Sequence, residues 1–255
     1  MTLNWRGLYT LFAKEVWRFL KVITQTVLTP VVTALLYLLV FHTVLEAHVA
    51  VYPGVSYTAF LVPGLITMSM IQNAFANSSS SLIQSKMNGN LVFVLVAPLS
   101  PLEFFLAFTA AAVLRGLLVG VVVWVAALAW VDLPLAHPGW VLVFAVLGSA
   151  ILGILGIIAG IWADKYDQLA AFQNFLILPL SFLSGVFYSI HDLPPFWERL
   201  SWFNPFFYMI DGMRHGFLGV SDSDPWLSLV VVASTCLLLG AGCLRLLSQG
   251  YKIRA

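Results

Sequence analysis

Arg115 is the residue best suited to chemistry inside this chain, because it is the single charged side chain in the apolar stretch 104–131. A charge buried in such a segment costs several kcal/mol unless it meets a polar partner or water. Its guanidinium can line a polar pathway or bind an anionic group. It can equally form a structural pair with a helix end or with one of four amide side chains, namely Gln72, Asn73, Gln173 and Asn174. These five residues are therefore our candidate translocation pathway.

A polar run at 72–86, QNAFANSSSSLIQSK, ends an otherwise apolar segment. Its amides and four consecutive serines would be expensive against lipid, so we expect them to face protein or a wet cavity. That placement favours transport.

The short motifs of self-sufficient enzymes are missing from the sequence. It has no G-x-x-x-x-G-K-[ST] loop for ATP phosphates, no His-Glu-x-x-His zinc helix and no Gly-x-Ser-x-Gly turn. Cys236 and Cys243 lie two helical turns apart and are expected to be small buried hydrophobes. Tyr166-Asp167 has no second intramembrane Asp after it, so we expect a turn and not a protease site. We therefore expect this chain to have no catalytic residue, no metal site and no cofactor of its own.

Composition identifies the broad class. The chain has 255 residues, of which 61% are hydrophobic and 9% charged, whereas a soluble domain has about 25% charged residues. We therefore expect an integral membrane protein. The net charge of +1 gives no electrostatic reason to bind nucleic acid.

The apolar segments predict one all-α transmembrane domain over 1–255. Each segment is near the 20 or so residues that a spanning helix needs, and lipid requires helices because backbone groups must be satisfied internally. The six predicted spans are 24–45, 57–77, 104–131, 140–162, 169–188 and 226–248. Gly116-x-x-x-Gly120 and Gly156-x-x-x-Gly160 predict close helix packing within the chain, with a dimer seam as the alternative.

The stretch 3–23 is amphipathic and predicts a helix in the membrane interface, or alternatively a long start to the first span. Its apolar face would enter the acyl chains and its basic face would meet anionic lipid. The apolar face consists of Leu8, Leu11, Phe12, Val16, Phe19 and Ile23, and the basic face of Lys14, Arg18 and Lys21.

Positive charge predicts the orientation. Nine basic residues fall on one side of the predicted spans and two, Arg199 and Arg214, on the other. Both termini are therefore expected in the cytoplasm. The nine are Arg6, Lys14, Arg18, Lys21, Lys86, Lys165, Arg245, Lys252 and Arg254.

The outer segment 189–216 predicts two short helices. One opens at Pro194-Pro195 and runs through Trp202, and the other starts at Asn204-Pro205, a good N-cap followed by Pro at the first helical position. Neither can span, so they would form a cap or a partly re-entrant hairpin. Its aromatic rings could stack on sugars or lie at the headgroup level; they are Trp197, Trp202, Phe206, Phe207 and Tyr208.

The segment GNLVFVLVAPLSP, residues 89–101, is too short to span and too apolar for an exposed loop. Topology places it in the cytoplasm. We predict a cytoplasmic helix over 86–100.

The whole chain resembles the transmembrane subunit of ABC type-2 exporters, in particular the YadH-like and NodJ-like bacterial permeases. The stretches that carry the resemblance are AKEVWRFLK at 13–21, FLVPGLITMSMIQNAFAN at 60–77, LVAPLSP at 95–101 and LSGVFYSIHDLPPFWERLSWFNPFFYMIDGMRHGFLG at 183–219.

The resemblance implies a homodimeric permease in the bacterial inner membrane. Two copies would assemble with two copies of a separate cytoplasmic ABC ATPase, which holds ATP and Mg. The first and fifth spans would form the dimer contact and the pathway. The segment after the second span would be the coupling helix, with Gly89, Leu91, Phe93, Leu95 and Pro98 as its ATPase-coupling residues. Exported substrates would be lipids, lipid-linked glycans or polysaccharides, or hydrophobic drugs.

One departure from the family pattern concerns charge. Relatives often carry an acid in the coupling helix, whereas 91–95 here is Leu-Val-Phe-Val-Leu. A salt bridge to the ATPase would need Lys86 or Glu103. The alternatives from other classes are a self-sufficient secondary transporter or channel, which needs acidic or His relays or inverted repeats, and an intramembrane enzyme.

Overall fold

The computed structural model describes residues 3–46 and 51–252, and those residues form helices without any strand. Five helices are long and apolar enough to cross a membrane: α2 (Ile23–Leu45), α3 (Tyr57–Met87), α5 (Pro101–Ala127), α6 (Pro138–Trp162) and α11 (Pro225–Gln249). The shorter ones are α1 (Trp5–Leu20), α4 (Leu91–Val96), α7 (Tyr166–Phe172), α8 (Leu178–Phe182), α9 (Pro195–Trp202) and α10 (Pro205–Leu218). The all-α membrane fold is confirmed. Arg254 lies outside the described residues.

The predicted span 169–188 differs most from the structure. Helix runs from α7 through a π-helical turn, Gln173–Ile177, into α8 and ends at Phe182. The chain then turns at Gly185, whose φ of 72° suits glycine. This interrupted helix is at the lower limit of the roughly 17–25 residues that span a bilayer, so the sixth crossing stays a prediction.

Helix α3 is the centre of the bundle and continues ten residues past the predicted end at 77. The polar residues after position 77 do not end the helix, because Asn77, Ser78, Ser79 and Ser81 are buried against other helices instead of facing lipid. Helices α5, α6 and α10 pack on it. A polar helix is stable at membrane depth when neighbouring protein covers it.

Glycines let α5 and α6 approach α3 closely. A Cβ on Gly156 would lie 2.5 Å from the Phe75 carbonyl oxygen, and one on Gly160 would lie 2.7 Å from the Leu82 Cβ. A Cβ on Gly116 would meet Ser149 at 2.5 Å. Both glycine pairs therefore serve packing within the chain, as expected.

One end of the bundle, which we call the basic end, carries both described termini. Lys86 at the end of α3 donates to the carbonyls of Ile161 and Ala163. The Lys252 ammonium lies 3.0 Å from Asp164, and its hydrogen bond lowers the pKa of that carboxyl. The Asn4 amide donates to Glu103 at 2.5 Å. The connections after the second and fourth predicted spans and the two described termini thus share one face.

The opposite end, which we call the acidic end, carries Asp132, Asp192, Glu198, Asp222 and Asp224. It is closed by a helix that enters the bundle. Helix α10 lies antiparallel to α6, with Met209 near Gly148 and a Gly212 Cβ position against Phe144. Met209 is therefore about ten residues, or 15 Å, inside the end of α6 that begins at Pro138. Asn204 caps α10 through the Phe206 amide, as the Asn-Pro pair predicts. Helix α10 thus enters the bundle from this end.

A buried ion pair fixes this hairpin. Asp211 accepts bonds from the backbone amides of Asp222 and Ser223 at 2.8 and 2.9 Å. Arg214 donates to the Gly185 carbonyl at 2.7 Å, and its guanidinium carbon lies 3.9 Å from the Phe60 ring centroid. Charges so far from water require such partners. The pair joins α10 to the loops on both sides of it.

Helix α1 is attached to the protein differently from the prediction. Leu11 and Phe19, expected in the acyl chains, are buried within the fold. Arg18, expected on an outward basic face, points to α3 and donates to the carbonyl and side-chain oxygens of Asn77 at 2.6 and 2.9 Å. The exposed side chains of α1 are Trp5, Arg6, Tyr9, Thr10, Lys14 and Trp17, so three aromatic rings share this face with two basic residues. Contacts with the rest of the fold therefore determine which face of α1 is buried.

The inward turn of Arg18 is linked to Glu15, whose side chain is fully buried. Arg18 Nε lies 3.2 Å from Glu15, and Lys14 lies 3.1 Å from its other oxygen. The carboxylate is thus neutralised while it is out of water.

Gly156→Ala should destabilise the protein by about 1–3 kcal/mol, because its methyl group would collide with the α3 backbone. Gly242→Ala in α11 is the matched control: nothing lies within 4 Å of its Cβ position, so helix propensity should make it neutral or stabilising by up to about 1 kcal/mol. Thermal unfolding of the detergent-purified proteins measures both. Equal midpoints would contradict the close α3–α6 contact.

Arg18→Gln should destabilise the protein by about 2 kcal/mol, less than the ~3–5 kcal/mol of a fully buried pair because Lys14 still contacts Glu15. Lys21→Gln, at an exposed position of the same segment, is the control. Adding Glu15→Gln to Arg18→Gln should restore part of the loss. If the double variant unfolds at a lower temperature than Arg18→Gln, the buried pair is not the cause.

Candidate functional site

A cavity of about 830 Å³ lies between α2, α3, α5 and α7 with its π-helical turn. We call it the polar groove. Along α3 it extends from Ser80 to Leu65, which is about 22 Å of helix axis. Its charged and polar lining consists of Arg18, Gln25, Thr26, Thr29, Thr33, Ser69, Gln72, Asn73, Ser79, Ser80, Arg115 and Gln173. A cavity of this volume, lined by both polar and apolar side chains, suits a ligand that has polar and apolar parts.

Four of the five predicted pathway residues line this groove: Gln72, Asn73, Arg115 and Gln173. Arg115 lies at the middle of α5 and its Nη2 donates to Asn73 Oδ1 at 3.1 Å. Its Nε is buried and has no hydrogen-bond partner in the described part of the chain. Asn174 is exposed and does not belong to the lining, because it lies one residue further round the helix.

Helix α2 supplies a polar stripe that the sequence analysis missed. Thr26, Thr29, Thr33 and Tyr37 follow helical spacing and all face the groove. A hydroxyl every three or four residues in a helix this apolar is a detectable signal. The fourth wall, α7 with its π-helical turn, places Gln173 opposite this stripe; π-bulges are frequent at functional sites.

Aromatic rings lie beyond the inner end of the groove, toward the acidic end. The ring of Tyr37 lies 5.5 Å from that of Phe187, and Phe41 and Phe182 lie 5.1 and 5.8 Å from the same ring. Tyr57 donates its hydroxyl to the Phe187 carbonyl at 2.8 Å. These contacts separate the polar groove from the acidic end.

The predicted coupling segment is a shorter helix than expected. In place of a helix over 86–100, α3 continues to Met87, the chain turns at Gly89 with φ of 70°, and α4 covers only Leu91–Val96. The helix ends before Pro98, whose ring restricts the preceding residue to extended backbone. Ser100 then caps α5, with Pro101 at its first position.

Apart from Gly89, which forms the turn, the predicted coupling residues divide into two groups. Leu91 is buried in a core cluster with Leu11 and Phe104, and the Pro98 carbonyl accepts a bond from Asn4 at 3.2 Å. Phe93 is 75% exposed, and Leu95 and the neighbouring Val92 and Val96 are exposed too. A cavity of about 750 Å³ separates this segment from α1. The segment is therefore fixed on one side and offers apolar side chains on the other.

Lys86 and Glu103, which the sequence analysis named as possible salt-bridge residues for this segment, are engaged inside the protein. Lys86 donates to two carbonyls of the α6–α7 connection. Glu103 accepts from the backbone amides of Ser100 and Asn4 at 2.7 and 2.5 Å. The exposed surface of α4 is consequently apolar and uncharged.

The outer aromatic residues occupy two different environments. Phe206, Phe207 and Tyr208 are buried in the core, so neither sugar stacking nor a headgroup position applies to them. Trp202 is half-buried against Phe207, whereas Trp197 is exposed. In the described residues, no group of three His, Cys, Asp or Glu side chains converges as a metal site. The polar groove and the exposed side of α4 are therefore binding surfaces, and the groove contains the partly buried charge of Arg115.

Comparison with known proteins agrees with this geometry. Residues 6–218 match the family described as "ABC-2 type transporter". The chain is 36% identical to "Inner membrane transport permease YadH" of Escherichia coli strain K12 over 257 residues, covering 100% of both chains. It is 28% identical to "Nodulation protein J" of Rhizobium leguminosarum bv. viciae over 198 residues, which is 75% of this chain and 70% of the relative. The chain belongs to the ABC-2 type transporter family, whose membrane subunits work with an ATP-binding subunit.

Proposed function

We propose that the chain is the membrane permease of an ATP-driven exporter in a bacterial inner membrane, with its basic end in the cytoplasm. The observation that carries this proposal is the uncharged apolar surface of α4, which is anchored at Leu91 and Pro98 and exposed at Phe93. The substrate would be a lipid, a lipid-linked glycan or polysaccharide, or a hydrophobic drug. The family resemblance and the full-length similarity to an inner membrane permease support the location.

The exposed face of α4 fits a helix-in-groove contact, in which a few large apolar side chains enter a partner's cleft. Burying one side chain of the size of Phe93 contributes about 1.5–3 kcal/mol. Helix α4 is joined to α3 by three residues and to α5 by four. Movement of a docked ATPase would therefore be transmitted to α3 and α5, two of the walls of the polar groove, as a rigid-body shift. ATP and Mg would be held by that partner.

Two unpartnered surfaces support a dimer with a second copy of the chain. One face of α2 exposes Leu28, Leu36, Val40 and Val44. The helix 166–182 packs on little else in the described chain, and its Phe175 is 84% exposed. These two surfaces flank the polar groove, so two copies meeting there would enclose two grooves between them. Two permeases would then pair with two ATPases.

The alternative of a self-sufficient secondary transporter or channel needs acidic or His relays at membrane depth. Among the residues that the structure describes, the lining of the polar groove contains two arginines and no Asp, Glu or His. That composition favours the ATP-driven mechanism.

Phe93→Ala should reduce capture of an ABC ATPase by at least about tenfold, since 1.4 kcal/mol corresponds to one decade. Leu95→Ala should do the same to a smaller extent, and both should uncouple ATP hydrolysis from export while the protein remains inserted. The measurement is co-purification of a co-expressed, phosphate-loop-containing ATPase with the tagged chain. Phe196→Ala is the matched control, because Phe196 is 69% exposed on α9 at the other end of the fold. Normal export and normal capture in both α4 variants would refute this role.

A cysteine at Phe175 should cross-link two copies of the chain in membranes. In a background with Cys236→Ala and Cys243→Ala, a short bismaleimide should convert Phe175→Cys to dimer. Leu237→Cys in α11 is equally exposed, at 75%, but lies away from the groove and should remain monomeric on a denaturing gel. Cross-linking at Leu237 and not at Phe175 would place the dimer contact elsewhere.

A further inference from the structure

Arg115 differs from the other buried or half-buried charges of the fold in what it contacts. Glu15 is paired with Arg18, Arg214 with Asp211, and Lys86 with two carbonyls. Arg115 forms no salt bridge among the described residues, and its single hydrogen bond goes to a neutral amide. Its Nε is buried without a partner there, as are Nε and Nη1 of Arg214. Arg214, however, lies 3.8 Å from the Asp211 carboxylate, whereas Arg115 has no counter-charge in that part of the chain. A charge kept without a counter-charge is typical of a binding group.

We propose that the polar groove binds the phosphate group of an anionic amphiphile, and that Arg115 is the residue that contacts the phosphate. This inference rests on the proposed function, because it names the chemical class of the molecule that the permease moves.

The charge of the groove selects anions. Among the described residues its lining contains Arg18 and Arg115 and no carboxylate. Arg18 shares the Glu15 carboxylate with Lys14, so this cluster keeps a net positive charge at one end of the groove. Arg115, halfway along α5, has no carboxylate partner in that part of the chain. Surrounded by apolar helices, one positive charge attracts an anion far more strongly than it would in water.

The donor geometry suits phosphate. A guanidinium presents its N–H groups as a planar fork, which matches two oxygens of one phosphate group. The side chains of Gln72 and Gln173 also line the groove. Their amide groups can donate to the remaining phosphate oxygens.

The apolar part of the lining indicates that the phosphate is carried by an amphiphile. Val22, Leu65, Met68, Leu169 and Leu178 share the cavity with the polar residues. A lipid tail can lie against these apolar lining residues while its phosphate reaches Arg115, an arrangement that free phosphate cannot use.

The test measures binding to the full chain in phosphatidylcholine nanodiscs, without any ATPase. The probes are a fluorescent-tailed phosphatidic acid, the diacylglycerol with the same tail, and inorganic phosphate. The variants are Arg115→Gln, which can keep the bond to Asn73 but removes the charge, and Arg115→Lys, which keeps the charge. Arg199→Gln removes an exposed arginine charge on α9 and is the matched control.

We expect wild type and Arg199→Gln to bind phosphatidic acid at least about tenfold more tightly than diacylglycerol, the decade expected for one charge-assisted contact. Arg115→Gln should lose that preference and Arg115→Lys should keep most of it. The unfolding midpoint of Arg115→Gln should equal or exceed that of wild type, since an unneutralised buried charge is removed; a lower midpoint would assign Arg115 a structural role and overturn the inference.

Equal binding of the two lipids by wild type would also overturn it, whatever the variants do. Inorganic phosphate should bind more weakly than phosphatidic acid, and equal affinities would overturn the contribution of the tail. Because no ATPase is present, a failure here leaves the proposed export function intact, whereas loss of ATPase capture would leave this binding site intact.

Discussion

The fold depends on one constraint, which is that the polar face of α3 must be shielded from lipid. An unsatisfied polar group in a hydrocarbon environment costs several kcal/mol, and α3 carries amides and serines along half its length. Surrounding this face with α1, α5, α6 and α10 meets the constraint. It also explains why α3 is the most buried of the long helices, whereas α2 and α11, which have few polar groups to hide, remain largely exposed.

The sequence predicted the class of fold and the composition of the groove because hydropathy and polarity are local signals. Arg115, Gln72, Asn73 and Gln173 could be assigned to one region since no other arrangement accommodates them cheaply. Asn204-Pro205 likewise predicted the start of α10. Predictions that depended on tertiary contacts were less successful. The end of α3 lay beyond residue 77 because protein, and not lipid, surrounds its polar turns.

The direction of a side chain was the hardest property to predict. The hydrophobic pattern of α1 placed Arg18 on a solvated face, but pairing with the buried Glu15 and with Asn77 rotates it inward. Similarly, the mostly apolar composition of 169–188 did not predict the π-helical turn or the left-handed backbone of Gly185. Both features are set by neighbours remote in sequence, which hydropathy alone does not report.

The same α3 face connects the α4 segment to the groove through a closed series of contacts. Asn73 holds Arg115, and Asn77 and Ser80, one and two turns further along, hold Arg18.

At the far end of α1, Asn4 contacts the Pro98 carbonyl after α4 and the Glu103 carboxylate at the start of α5. Since α5 carries Arg115, the series returns to the groove. Displacement of α4 would therefore reach Arg115 along two routes, directly through α5 and indirectly through α1 and α3. A groove linked in this way can change shape when α4 moves while the ion pair at the acidic end keeps α10 in place. Rigid helices joined by short, hydrogen-bonded connections transmit such shifts with little loss, because packed interfaces change between discrete arrangements instead of deforming continuously.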